Sequence, residues 1–124
     1  MVGVTDRSGL PDGRVGLVYS VHVPAAGLAV VTLTGRLEAV AAADLRLRLE
    51  QSDVSGCPVV VIDLGAVDFI DSAGLAVLVR QRRTCRESGG DVVLVRPASD
   101  PAMRVFRLTQ FDQVFRMLPS QRDA

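Results

Sequence analysis

The segment that most constrains the fold is Pro58-Val59-Val60-Val61-Ile62-Asp63-Leu64, a continuous apolar run capped by an acid. Such a run is the sequence of a strand buried on both faces, and strands of that kind belong to parallel sheets covered by helices. Asp91 to Arg96 is a second run of the same type. Parallel neighbours cannot be joined by a tight turn, so a chain with two such strands needs a crossover between them.

The flanking segments supply the crossovers and the sheet edges. Val15, Leu17, Tyr19, Val21 and Val23 alternate with smaller or more polar residues, the pattern of a half-buried strand. Pro24-Ala25-Ala26-Gly27 turns the chain into a second β-rich run, Leu28 to Thr34, and so short a connection makes the pair an antiparallel hairpin. Gly35-Arg36-Leu37-Glu38 breaks that strand and leads into an Ala-rich stretch. There Leu45, Leu47 and Leu49 alternate with Arg, as in a strand, but Ala42, Leu45 and Leu49 share a helical face and the run is long, so a helix ending at Ser55-Gly56 is expected.

Beyond Leu64 the chain reads as a loop through Gly65-Ala66-Val67-Asp68-Phe69-Ile70, then a helix from Asp71-Ser72 to about Glu87. Leu75, Leu78, Val79, Arg82 and Cys85 fall on one stripe of it, and Gly89-Gly90 closes it. Ser99-Asp100-Pro101 is the start of a further helix through Val105, Phe106 and Leu108, and Val114 to Leu118 is a last strand. The order β-β-α-β-α-β-α-β implies right-handed parallel crossovers after an initial hairpin. The expected fold class is α/β, a mixed sheet of about five strands with an N-terminal β-hairpin and helices packed on it. One domain is expected over residues 15–118, between a flexible leader at 1–14 and a flexible tail at 119–124.

Composition narrows the functions open to such a domain. The chain has 124 residues, 48% of them apolar, which suits one packed core. Its fourteen acidic and fourteen basic residues balance, giving no electrostatic case for nucleic acid or an anionic membrane. Arg80, Arg82, Arg83 and Arg86 cluster on the second helix, but with five aromatics in the chain they read as a solvated face or a patch for an acidic partner. Every basic residue is Arg, so a phosphate-cradling loop with its Lys and a Schiff-base lysine are both excluded.

Cys57 and Cys85 are too few for a disulfide scaffold and read as small buried apolar residues. His22 is the one histidine and falls on the strand face opposite Val21 and Val23, a solvated position rather than a member of a triad or metal site. No nucleophile–base pair, metal cluster or cofactor motif emerges, so a non-enzyme without cofactor or metal is expected. Met1 to Arg14 lacks the apolar core of a signal peptide and no apolar run is long enough to span a bilayer, which implies a cytoplasmic protein.

One turn remains for function. In α/β sheets, ligand and partner sites gather beyond the carboxyl ends of the strands, where Asp71-Ser72 enters the second helix. A serine beside free helix N–H groups is well placed to carry phosphate, whose charge, next to Asp71 and close to Asp68, would change the local potential without changing the fold. Gly74 in the first turn would leave room for a partner to approach the backbone. Taken alone, Asp-Ser at a helix start reads as an ordinary capping pair before it reads as a switch, and Phe69 and Ile70 read as core.

The longer string changes that balance. The strand Pro58–Leu64, then Gly65-Ala66-Val67-Asp68-Phe69-Ile70-Asp71-Ser72-Ala73-Gly74-Leu75-Ala76-Val77-Leu78, then Gly89-Gly90-Asp91-Val92-Val93-Leu94, resembles the STAS domain, in particular the bacterial anti-sigma factor antagonists. Gly35-Arg36-Leu37-Glu38 is similar to the family's Gly-x-Leu-Asp segment, and Val105-Phe106-Arg107-Leu108-Thr109 with Phe111-Asp112 to its last helix and closing turn. The resemblance implies that Ser72 is phosphorylated by an anti-sigma factor that is also a serine kinase. The unphosphorylated form would bind that factor and free the sigma factor, and a metal-dependent serine phosphatase would reset it.

On the same resemblance, Glu38, Asp68, Asp71, Ser72, Ala73 and Gly74 form the partner surface of a monomer or weak homodimer. Two positions depart from the family pattern: Ala73 replaces a usual Ser or Thr, and Glu38 replaces a usual Asp. STAS domains also serve as soluble parts of membrane transport assemblies for lipids or anions, where Ser72 would lie at a packing interface unmodified.

Overall fold

The computed structural model describes residues 4–9, 15–51 and 53–119. Among them, six strands form one sheet whose spatial order follows the chain: β1 (Val4–Gly9), β2 (Val15–Ala25), β3 (Leu28–Leu37), β4 (Val59–Ile70), β5 (Asp91–Val95) and β6 (Arg116–Leu118). β1/β2 and β2/β3 are antiparallel, while β3/β4, β4/β5 and β5/β6 are parallel. Helices α1 (Ala39–Gln51), α2 (Ser72–Glu87) and α3 (Asp100–Thr109) make the three crossovers. This is the expected mixed α/β architecture, with the β2/β3 hairpin in place and a sixth strand added.

That sixth strand, β1, falls inside the segment expected as a flexible leader. β2 would otherwise present an unpaired backbone edge, and strand addition satisfies it through N–H and C=O groups whatever the side-chain pattern. The polar Val4–Gly9 sequence therefore gave no sign of it. Residues 1–3, 10–14 and 120–124, the rest of the expected leader and tail, lie outside the described residues.

Three further expectations are corrected. Residues 65–70 are not a loop: β4 continues to Ile70, pairing with the second half of β3 from Thr34↔Ala66 to Leu37↔Ile70. Gly35 does not break β3 but lets it pass through a bulge, at φ +109, where a Cβ would lie 2.6 Å from the Gly16 carbonyl oxygen. Finally, the valine runs are not buried on both faces. Leu17, Tyr19, Val31, Leu33, Val60, Ile62, Val92 and Leu94 share one core with residues of all three helices, while Val61, Val93 and Val95 on the opposite face are half-buried. Crossovers of one hand between successive neighbouring strands place their helices on one side, which leaves the other side of the sheet without a helix among the described residues.

The helices follow their sequence signals. Leu45 and Leu49 are buried in α1 while Leu47 is 48% exposed, which settles the helix over the strand alternative. Ser99 caps α3 by accepting the Ala102 N–H at 3.4 Å. Phe106 is fully buried at the end of an edge-to-face series through Phe115 to Phe111. His22 is exposed, as its strand position implied.

Cys57 and Cys85 are buried thiols, and burial pushes the Cys85 thiol up from its ordinary pKa. The fold thus favours the neutral thiol. Its stabilising contribution is complete below the unfolded thiol value of about 8.5 and is lost as pH climbs through the folded one. Iodoacetamide at neutral pH is expected to label neither cysteine until urea is added, and labelling read by intact mass checks this.

Candidate functional site

The carboxyl ends of β3 and β4 deliver two helix starts to one place. Asp71 follows β4 in an extended conformation (φ −112, ψ −173) and caps α2, its Oδ1 accepting the Gly74 N–H at 2.9 Å. Its Oδ2 accepts the N–H of Ala39, the first residue of α1, at 3.1 Å. The Asp71 N–H donates to the Leu37 carbonyl at the end of β3, at 3.3 Å. One carboxylate therefore joins the amino-terminal ends of two helices, where free N–H groups and aligned peptide dipoles favour negative charge.

Ser72 is the first residue of α2 and is exposed. Its hydroxyl has no hydrogen bond to any described residue, because Asp71 alone does the capping. The two readings of the Asp-Ser pair thus separate onto different residues. Ala73 is half-buried and packs against the core, so Ser72 is the one hydroxyl in the turn.

Gly74 gives its room to the end of β3 within the fold. It is buried, and a Cβ there would stand 2.5 Å from the Leu37 carbonyl oxygen, 2.9 Å from Leu37 Cγ and 3.3 Å from Ile70 Cγ2. The missing side chain admits the end of β3 against the first turn of α2 and so holds the turn in position. Ile70 is core, at 1% exposure, as expected.

Glu38 and Asp68 flank the turn through residues the sequence did not single out. Glu38 accepts two hydrogen bonds from Arg36, at 3.3 and 3.2 Å. That hydrogen bond, and beyond it the charges of Glu38 and Asp68, raise the Arg36 pKa. The Arg36 guanidinium lies 4.3 Å from the Phe69 ring centroid, so Phe69 is a half-buried platform and not the core residue expected. Asp68 is exposed, and its carbonyl accepts the Ser99 hydroxyl at 3.2 Å, tying the start of α3 to the same end of the sheet. The i, i+2 spacing of Arg36 and Glu38 at a strand end was the one signal that could have paired them.

Asp71→Ala removes an N-cap and the acceptor for the Ala39 N–H together, with an expected cost of about 1–3 kcal/mol. Asp71→Asn keeps one acceptor oxygen and is expected to fall between wild type and Ala. Urea denaturation followed by circular dichroism measures both.

Residues 21–124 match the STAS domain family. The chain belongs to that family. Among solved structures, an anti-sigma factor antagonist from Mycobacterium paratuberculosis is 27% identical, with 94% of each chain covered and a TM-score of 0.73. The Bacillus anti-sigma factor antagonist SpoIIAA in its unphosphorylated form shares the fold, at 17% identity over 85% of this chain and 90% of that one, with a TM-score of 0.71. So does murine Slc26a9, an anion transporter, at 19% identity and a TM-score of 0.61, covering 98% of this chain but 21% of the transporter. Among the described residues of this STAS domain, no helix is long and apolar enough to cross a membrane.

Proposed function

We propose that this STAS domain is an anti-sigma factor antagonist that binds an anti-sigma factor while Ser72 is unphosphorylated and lets go once it is phosphorylated. The observation that carries this reading is the division of labour in the turn: Asp71 holds both helix starts, leaving the Ser72 hydroxyl exposed and without a hydrogen bond among the described residues. Phosphate at Ser72 then costs the fold no cap. It adds between one and two negative charges at a helix N-terminus, which tolerates them, while the surface seen by a partner changes sharply. The 27% identity to an anti-sigma factor antagonist supports the same role.

In this scheme the partner is an anti-sigma factor with serine kinase activity, a metal-dependent serine phosphatase restores the binding form, and the STAS domain binds rather than catalyses. Glu38, Asp68, Asp71 and Ser72 face the partner, while Ala73 and Gly74 seat the turn. Incubation with the anti-sigma factor kinase and ATP, followed by phosphosite mapping, tests this. One phosphate, on Ser72, is the expected result. Phosphate elsewhere would remove Ser72 from the switch, and no phosphate in a chain that co-purifies with an ABC-type ATPase would instead mark a transporter subunit.

A further inference from the structure

The arginine cluster on α2 is not one patch. Arg82 and Arg86 turn toward the start of β5, where both approach Asp91, at 3.9 and 3.6 Å. Arg80 and Arg83 turn the other way, onto an open cleft between α1 and α2. Its floor is made of small and apolar side chains, Ala42, Ala73, Ala76 and Val77, with Leu47 on the α1 side and Arg46 completing the rim. Leu47 is 48% exposed there, a large apolar side chain left half in solvent among the described residues.

The charge around this floor is uneven. Arg46 and Arg80 share one carboxylate, Glu50, at 3.8 and 3.5 Å, and Arg83 has no ion pair among the described residues. Three guanidinium groups against one carboxylate leave an excess of two positive charges beside an apolar trough, in a chain whose charges balance overall. An apolar floor with a cationic rim matches a helix that carries leucines on one face and carboxylates beside them.

We infer that the α1–α2 cleft receives an acidic amphipathic helix of the partner protein. Ala73, the residue after Ser72, forms one end of the cleft floor, so the switch and the cleft are continuous. The inference depends on the antagonist reading for the identity of the partner and not for the chemistry of the cleft.

The test is an NMR titration of the full ¹⁵N-labelled chain with a stapled helical peptide bearing Leu at i, i+4 and i+7 flanked by Glu, beside a counterpart with Lys in place of Glu. The Glu peptide is expected to shift amides around Ala42, Leu47 and Ala76, and the Lys peptide to bind at least roughly tenfold more weakly. Arg83→Glu breaks no ion pair among the described residues, so it should fold normally and weaken the Glu peptide by roughly tenfold. Absence of binding, equal binding of the two peptides, indifference to Arg83→Glu, or shifts centred on Val30, Val61 and Val93 of the sheet face opposite the helices would each overturn the proposal. No kinase or anti-sigma factor enters the titration. Its failure would leave phosphorylation at Ser72 standing, and failure of phosphorylation would leave the cleft standing.

Discussion

Ser72→Ala is expected to hold the anti-sigma factor with or without ATP, and Ser72→Glu to lose it by at least about 2 kcal/mol, roughly thirtyfold in Kd. The two substitutions should leave the fold almost untouched. Ser72 makes no hydrogen bond to the described residues, so Ala removes no cap, and Glu at the first position of α2 sits where the helix dipole favours an anion. Both variants should therefore unfold within about 0.5 kcal/mol of wild type. Stability and binding are thus separable at this residue: a difference in capture by the anti-sigma factor reports the surface and not the core. Equal capture of the two variants in pull-downs would remove Ser72 from the switch. Ala73 sharpens the experiment, because no neighbouring hydroxyl in the turn can take the phosphate instead.

Most of the architecture was legible because its signals are local. Ser99 and Pro101 announce α3, Gly89 at φ +82 ends the turn after α2, and Leu45 with Leu49 mark the buried side of α1. What escaped depends on contacts between distant segments. β1 is paired to β2 over Val4 to Gly9, a stretch whose sequence carries no apolar alternation to read. Val61 and Val93 look like residues buried from both sides, and only the placement of all three helices on one face shows that they are half-covered. At the site, the Asp71-Ser72-Ala73-Gly74 string was readable, but the Arg36–Phe69 contact needed the register that sets Arg36 opposite Phe69 across a bulged strand pair. The same shift carries β4 past Leu64 to Ile70, so the segment that seemed a loop is the strand that aims Asp71.

Gly74→Ala sets two effects of opposite sign against each other. In an open helix, Ala is favoured over Gly by about 1 kcal/mol. Here its methyl would meet the Leu37 carbonyl oxygen at 2.5 Å and Leu37 Cγ at 2.9 Å, closer than such contacts can be. The oxygen is backbone in a paired strand and cannot swing aside, so α2 must move off β3, and overpacking of this kind costs roughly 1–3 kcal/mol or more. The clash wins, and the net loss should be about 2 kcal/mol, a fall in Tm of about 6–10 °C for a domain near this size. Gly56→Ala, with nothing within 4 Å of the added Cβ, is the control and should change Tm little. The displacement acts where Asp71 bridges Gly74 and Ala39, so the variant should also loosen the turn. Faster hydrogen exchange at the Ala39 and Gly74 amides would show it, with the amides of β5 unchanged. A Gly74→Ala protein as stable as wild type would mean that the first turn of α2 can yield without cost, and that Asp71 rather than the close packing on Leu37 holds Ser72 in place.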